Sequence, residues 1–300
     1  MGFENEFLYM RQTTLKKPVS IAGIGLHTGV NVKMTLSPAP ENTGYVFIRT
    51  DLDNFEIPAS VEYVSHCSYA TTLLRGGVLI STCEHLLSAL RGCGVDNCFI
   101  ELDGIEVPIL DGSSREFVRM IYEAGIKEQE SPRRFFRVLK KVEIIEDSRK
   151  ISIEPARNFE VDCTIDFCHP LIGRQSYVFE LRDGNFVRDI ATARTFGFLE
   201  EVEKLRMANL ARGGSLENAI VLTRDGMLNK EPLRFDDEFV RHKVLDIIGD
   251  FALLGMPIIG KVFAERSGHA LHAALMSKLL KDSSAWQITE HVHHAFQLSG

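Results

Sequence analysis

Two rhythms of apolar residues run along the chain. In "VNVKMTL", residues 30–36, apolar side chains recur at every second position, the pattern of a strand with one buried face. A strand and a Gly-rich turn precede it in "KKPVSIAGIGLHTG", and "ENTGYVFIRTD" adds a turn and a further strand. "YATTLLRGGVLIS" reads as a hairpin turning at Gly76–Gly77, and "VDNCFIELDG" as another strand. The helical period appears in "STCEHLLSALRGCG", which Ser81 or Thr82 is placed to cap and Gly92 or Gly94 to end. It returns in "DGSSREFVRMIYEAGI", with Ser113 or Ser114 near the cap.

After this the order repeats. "FFRVLKKVEIIED", "KISIEP" and "EVDCTIDF" read as strands, "HPLIGRQSYVFEL" turns at Gly173, and "PIIGKVFAERSG" is a late strand. "DDEFVRHKVLDIIGD" is a helix that Asp236–Asp237 can cap, and "HALHAALMSKLLKDSS" is the last one. Between the halves, "KEQESPRR", residues 127–134, is polar and broken by Pro132, and reads as a linker. Strands grouped ahead of helices suit an α+β class better than a βαβ alternation. The expected organisation is two α+β domains, residues 1–130 and 131–300.

Composition narrows the class. At 300 residues, 45% hydrophobic and 25% charged, the chain suits a globular protein of about two domains. A net charge of -7 argues against a general nucleic-acid binder. No secretory signal is visible in "MGFENEFLYMRQ", no apolar run spans a bilayer, and six scattered cysteines form no CxxC. Reduced thiols and a cytoplasmic location are expected. "AGIGLHTG" and "ARGGSLENAI" are Gly-rich, but neither is a Walker A or dinucleotide fingerprint, and turn chemistry explains both. The tail histidines His291, His293 and His294 read as a solvated end.

Polar residues inside apolar helices raise the chemical question. In "FVRHKVLDIIGDFALLG", His242, Asp246 and Asp250 recur at steps of four and share one stripe. His242 and Asp246 could converge on a cation, with Asp250 behind them. The spacing equally suits a helix whose polar side faces water. His85 in "STCEHLLSAL" could be a third ligand, and Glu84 could reach a water bound there; a surface Glu beside a satisfied His fits the same letters. Two imidazoles and a carboxylate make a catalytic zinc set with one open position. That set needs two helices more than 150 positions apart to meet. His269, heading the last helix, could donate a proton, and Lys243 could stabilise an oxyanion.

Seven stretches in order, "GIGLHTG", "STCEHLLSAL", "PILDGSS", "ARTFGF", "GGSLENAIVL", "RHKVLDIIGD" and the late "GH" of "SGHALH", make the chain resemble the UDP-3-O-acyl-N-acetylglucosamine deacetylases over about residues 14 to 280. These are zinc amidases that remove acetate in the committed step of lipid A biosynthesis. The resemblance implies two similar α+β domains, each a β-sheet packed with helices, the helices sandwiched between the sheets. One small insert per domain is implied, near residues 61–81 and 171–195. It implies His85, His242 and Asp246 as zinc ligands, with Fe2+ the alternative in cells. Glu84 matches the base, His269 the general acid, Thr195 and Lys243 the oxyanion neighbours, and Asp250 a partner of the acid–base groups. Phe196 and Glu201 match substrate-contact positions. Where the family often has "CTT", this chain has "ATT" at Ala70–Thr72, which removes a cysteine contact. "LIGRQSYVFEL" is the expected wall of the acyl passage. The implied partner is a nucleotide-sugar lipid precursor bearing an acyl chain. No nucleic acid, no integral membrane segment and no fused dehydratase domain are expected. Transient membrane-surface contact is compatible, and the chain is expected to be a monomer. A catalytically silent binder with the same fold and a metallohydrolase for another amidated sugar are the alternatives.

Overall fold

A computed structural model describes residues 11–67, 69–182 and 184–290. The histidines of the tail, His291, His293 and His294, lie outside the described residues.

In the first half the strands are β1 (Arg11–Leu15), β2 (Val19–Ile24), β3 (Asn31–Pro38), β4 (Tyr45–Arg49), β5 (Phe55–Pro58), β6 (Val64–His66), β7 (Thr72–Arg75), β8 (Val78–Ile80) and β9 (Cys98–Leu102). Helices α1 (Glu84–Gly92) and α2 (Arg115–Ala124) flank β9. Five strands form one sheet in the order β2-β3-β9-β4-β5, antiparallel except where β4 runs parallel to β9. The alternation in residues 30–36 does what its period requires: Val32, Met34 and Leu36 are buried while the residues between them are not. β6, β7 and β8 make a separate three-stranded sheet, and its hairpin turns on Gly76 and Gly77, both at positive φ.

The second half opens with β10 (Ile126–Pro132), β11 (Phe135–Val138), β12 (Val142–Glu146), β13 (Arg149–Glu154), β14 (Phe159–Phe167) and β15 (Gly173–Glu180). Then come α3 (Asn185–Asp189), β16 (Phe196–Phe198), α4 (Leu199–Met207), β17 (Ile220–Leu222), α5 (Glu238–Phe251), β18 (Ile258–Glu265), α6 (His269–Lys281) and β19 (Trp286–Thr289). Seven strands share a sheet built around β18, which pairs with β13, β14 and β11. Helices α5 and α6 lie against this sheet, α5 over β14 and β15, α6 over β12 and β13. Helix α2 lies against β2 of the first sheet and packs on α1, and α1 packs on α5, so helices occupy the layer between the two sheets. This is a two-domain α+β architecture. Among the described residues no helix is long and apolar enough to cross a membrane.

Three expectations need correction. Residues 127–134 are not an open linker: β10 takes most of them and pairs antiparallel with β1. Their charges read as a loop because the strand is largely exposed, and Pro132 sits at its end, where no ladder bond is lost. Residues 173–180, expected within a small insert and as the acyl wall, form β15, which extends the main sheet by pairing along β14. The separate unit of this half lies further on, where β16 and β17 pair in parallel across α4. The helix starts also shift. Cys83, not Ser81 or Thr82, occupies the cap position of α1, without a side-chain cap bond, and Thr82 stands at positive φ with its hydroxyl on Glu106. Asp237 occupies the cap position of α5 without a cap bond, its carboxylate being taken by Arg241.

Candidate metal centre and active site

α1 and α5 are buried on every side. All nine residues of α1 and twelve of the fourteen in α5 are inside. His242, Asp246 and Asp250 are 1%, 2% and 1% exposed, so their stripe does not face water. Burying Phe239, Val240, Leu245, Ile248 and Phe251 contributes about 1.5–3 kcal/mol each, enough for this helix to carry three polar groups inward.

Gly249 lets the two helices touch. A Cβ there would lie 2.0 Å from the carbonyl oxygen of Glu84, a backbone atom that has nowhere to retreat. Ser114 of "PILDGSS" steadies α1 from the other side by donating to the carbonyl of His85. Gly249→Ala is therefore expected to destabilise the fold by about 1–3 kcal/mol and to weaken metal binding. Thermal melts and zinc titration would read this; unchanged values in both would remove the close approach from the account.

The approach brings His85 to α5. His85 Nε2 lies 3.6 Å from Asp246 Oδ1, and His242 Nε2 lies 3.3 Å from the same oxygen. The three donor atoms are within 4.8 Å of one another. Ligands about 2.0–2.1 Å from a tetrahedral zinc ion stand roughly 3.3–3.5 Å apart, which these spacings match. Asp246 Oδ1 is buried and has no hydrogen-bond donor among the described residues, as expected of an oxygen that serves a cation. Burial pushes the His242 pKa down to about 3, so its ring is neutral. Its Nδ1 sits 3.0 Å from the carbonyl of Ala193, which can only accept, so the lone pair is on Nε2. Burial opposes charge on Asp246, but the carboxyl is held well below its usual range, with the Lys243 ammonium beside Oδ2 favouring the charge. The donor set fits one divalent zinc ion.

Around this cluster stand the other expected groups. Glu84 Oε2 accepts from the backbone N–H of Thr71, and Oε1 lies 3.8 Å from His269 Nε2. Burial raises the Glu84 pKa above the ordinary carboxylate value. His269 Nδ1 is 2.7 Å from Asp250 Oδ2. Burial works against the imidazolium, yet Asp250 outweighs it and lifts His269 to about 10. Lys243 Nζ donates to Asp246 Oδ2 at 2.9 Å and lies 5.4 Å above the Phe196 ring. Burial opposes its charge as well, and Asp246 raises its pKa despite that.

Two members of the network carried no role in the sequence reading. Asp250 Oδ2 also takes His272 Nδ1 at 2.6 Å, and Asp250 Oδ1 accepts from the Thr71 hydroxyl at 2.6 Å. The i, i+3 step from His269 to His272 was the available signal for the first. Nothing in the sequence near Thr71 pointed to α5.

Thr195, Phe196 and Glu201 lie together along a cavity of about 350 Å³, which Leu26, Leu205, Leu216 and Val221 make largely apolar. Thr195 is held there by its N–H on the carbonyl of Gly112. Phe196 connects the cavity to the metal cluster, its ring centroid 6.4 Å from that of His242. Glu201, on α4, belongs to the cavity wall and not to the polar cluster. The turn "GIGLHTG" forms another part of the wall: buried Glu106 accepts the N–H groups of His27 and Thr28, and a Cβ on Gly25 would meet that carboxylate at 2.4 Å.

Known proteins resemble this chain over most of its length. The family model described as UDP-3-O-acyl N-acetylglycosamine deacetylase matches residues 12–281. A UDP-3-O-acyl-N-acetylglucosamine deacetylase of Myxococcus xanthus is 51% identical over 278 residues, covering 92% of this chain and 88% of that protein. The deacetylase of Hahella chejuensis is 48% identical, covering 93% of each chain, and that of Solibacter usitatus 47% identical, covering 92% and 94%.

Proposed function

The chain belongs to the UDP-3-O-acyl-N-acetylglucosamine deacetylase family, and from that premise we propose that it hydrolyses the N-acetyl amide of UDP-3-O-(3-hydroxyacyl)-N-acetylglucosamine, releasing acetate, in lipid A biosynthesis. The observation that carries the reading is the buried convergence of His85, His242 and the donorless Asp246 Oδ1 beside Glu84.

His85, His242 and Asp246 would hold the zinc ion, which would supply Lewis acidity for a water and for the amide carbonyl. Glu84 accepts the proton of the attacking water; its raised pKa makes it a stronger base than an ordinary carboxylate. Negative charge develops on the carbonyl oxygen, and we assign Lys243 and Thr195 to meet it. An amine leaves poorly as an anion. His269, charged and held by Asp250, is assigned to protonate the nitrogen. His272 and Thr71 fix Asp250 from its other sides, so the imidazolium keeps one orientation.

The apolar cavity beyond Phe196 is assigned to the acyl chain, with Phe196 and Glu201 as substrate contacts. Its wall is α4 with its two flanking strands, in place of residues 171–181. We place the reaction in the cytoplasm, in keeping with six cysteines present as free thiols.

Substrate comparison tests the function. The UDP-linked, acylated sugar is expected to be deacetylated at a kcat/KM at least ~100-fold above that of free N-acetylglucosamine, because remote binding energy is realised only with the whole substrate. Equal use of both would refute the lipid-precursor assignment and leave a general sugar amidase.

A further inference from the structure

The stripe of α5 has a fourth member. One step of four before His242 stands Glu238, which is 0% exposed. Its carboxylate is fully engaged. Oε1 accepts from the backbone N–H of Arg194 at 3.0 Å and from Arg194 Nε at 2.8 Å. Oε2 accepts from Arg194 Nη2 at 3.1 Å and from the backbone N–H of Arg234 at 2.7 Å. Arg194 is 4% exposed, and its Nη2 also donates to the carbonyl of Pro232.

An acid in the first turn of a helix is favoured by the helix dipole, which would account for a charge at position 238. The dipole does not account for its complete burial or for two chain segments hung on one carboxylate. Net stability is a weak explanation too, since buried ion pairs are often no more stabilising than apolar residues of the same volume. What the pair does control is position. Arg194 stands between two residues that face the site. On one side is Ala193, whose carbonyl takes His242 Nδ1. On the other is Thr195, whose N–H and carbonyl bind Gly112 and Ile220. Arg234, the second segment held, reaches with Nη1 to Asp111 and to the carbonyl of Thr192. Residues 192–195 are thus tied to the head of the helix that carries His242.

We propose that Glu238 is a positioning residue for the metal centre: by clamping Arg194 it fixes the Ala193 carbonyl, and that carbonyl holds His242 in the Nδ1–H tautomer with Nε2 directed at the ion. The same clamp sets Thr195 against the cavity. The proposal rests on the zinc-site reading above and deepens it. Groups behind a metal ligand typically change affinity by about 10–100-fold when removed, which sets the expected size.

The test compares wild type, E238Q and the paired replacement E238M/R194M, each as the full chain stripped of metal. Zinc affinity is measured by competition with a chromogenic chelator. Imidazole 15N spectra of the metal-free protein report the His242 tautomer. The expected result is zinc binding weakened by about 10–100-fold in E238Q, together with loss of the single Nδ1–H tautomer. A structural role alone would lower the thermal midpoint and leave both readouts as in wild type; that outcome overturns the proposal. Should E238Q fail to fold because Arg194 is left buried and unpaired, the paired replacement, which removes both charges, is judged by the same two readouts. Wild-type protein that bound no zinc would refute the metal-site reading itself, a result distinct from equal zinc binding by wild type and variant, which refutes only the clamp.

Discussion

Protein stripped of metal by a strong chelator is expected to stay folded and to lose amide hydrolysis by about 10³-fold or more, with activity returning on addition of one equivalent of zinc. The size follows from the Lewis acidity assigned to the ion, several kcal/mol of barrier at about 1.36 kcal/mol per tenfold in rate. The fold is expected to survive because α1 and α5 are held by apolar packing: Leu86, Leu87, Leu90, Val244, Leu245 and Ile248 are all fully buried. Without the ion, Asp246 keeps Lys243 as a charge partner. One equivalent is expected because only the cluster of His85, His242 and Asp246 has a donorless oxygen; in the neighbouring group of Asp250, His269 and His272 each imidazole already bonds the carboxylate. Metal content measured beside the rate decides the matter. Full turnover by metal-free protein would end the zinc assignment.

Glu84→Gln is expected to lower kcat by about 10²–10⁴-fold while zinc content stays at the wild-type level. The change keeps the shape and an oxygen for the Thr71 N–H, so the bond seen at 3.1 Å has a partner. Glu84 precedes the ligand His85 by one residue and therefore projects about 100° away around α1, which separates the base from the ligand set. The pH dependence provides a second reading. Glu84 must be deprotonated to act and its pKa is raised, so activity climbs with pH through a value above the usual carboxylate range. His269 must be protonated to act, and in the metal-free protein its pKa stands near 10, so activity declines as pH rises toward that value. A bound cation moves both values down. In the Gln variant the acidic limb should vanish and the alkaline limb remain. A variant with wild-type kcat, or one that retained the acidic limb, would remove Glu84 as the base.

Local features were open to reading from the chain. The step of four in α5, the Gly76–Gly77 hairpin and the alternation of β3 are short-range consequences of helix and strand periods, and the structure has each of them. Elements whose side chains meet water on most sides were harder. β10 pairs only with β1 and has no buried residue, so its letters resemble a loop. The insert near residues 171–195 came from the family likeness and not from the letters of this stretch; β15, whose one buried residue is Phe179, extends the main sheet instead. Glu238 was overlooked for a different reason: an acid at a helix start has a sufficient local explanation, and its partner Arg194 is 44 positions away.

The amino-acid order by itself determined the helix and strand periods, the placement of His242, Asp246 and Asp250 on one stripe, and a family likeness carried by seven ordered stretches. Tertiary structure alone decided that the stripe faces inward and that His85 meets it. A helix period places side chains within one element, but the distance between α1 and α5 is set by packing. It depends on a missing side chain at Gly249, on Ser114 beneath His85, and on the packing of α2 against α1 and of β14 and β15 against α5. Contacts over such separations are collective properties of the packed core, and no local rhythm of residues encodes them.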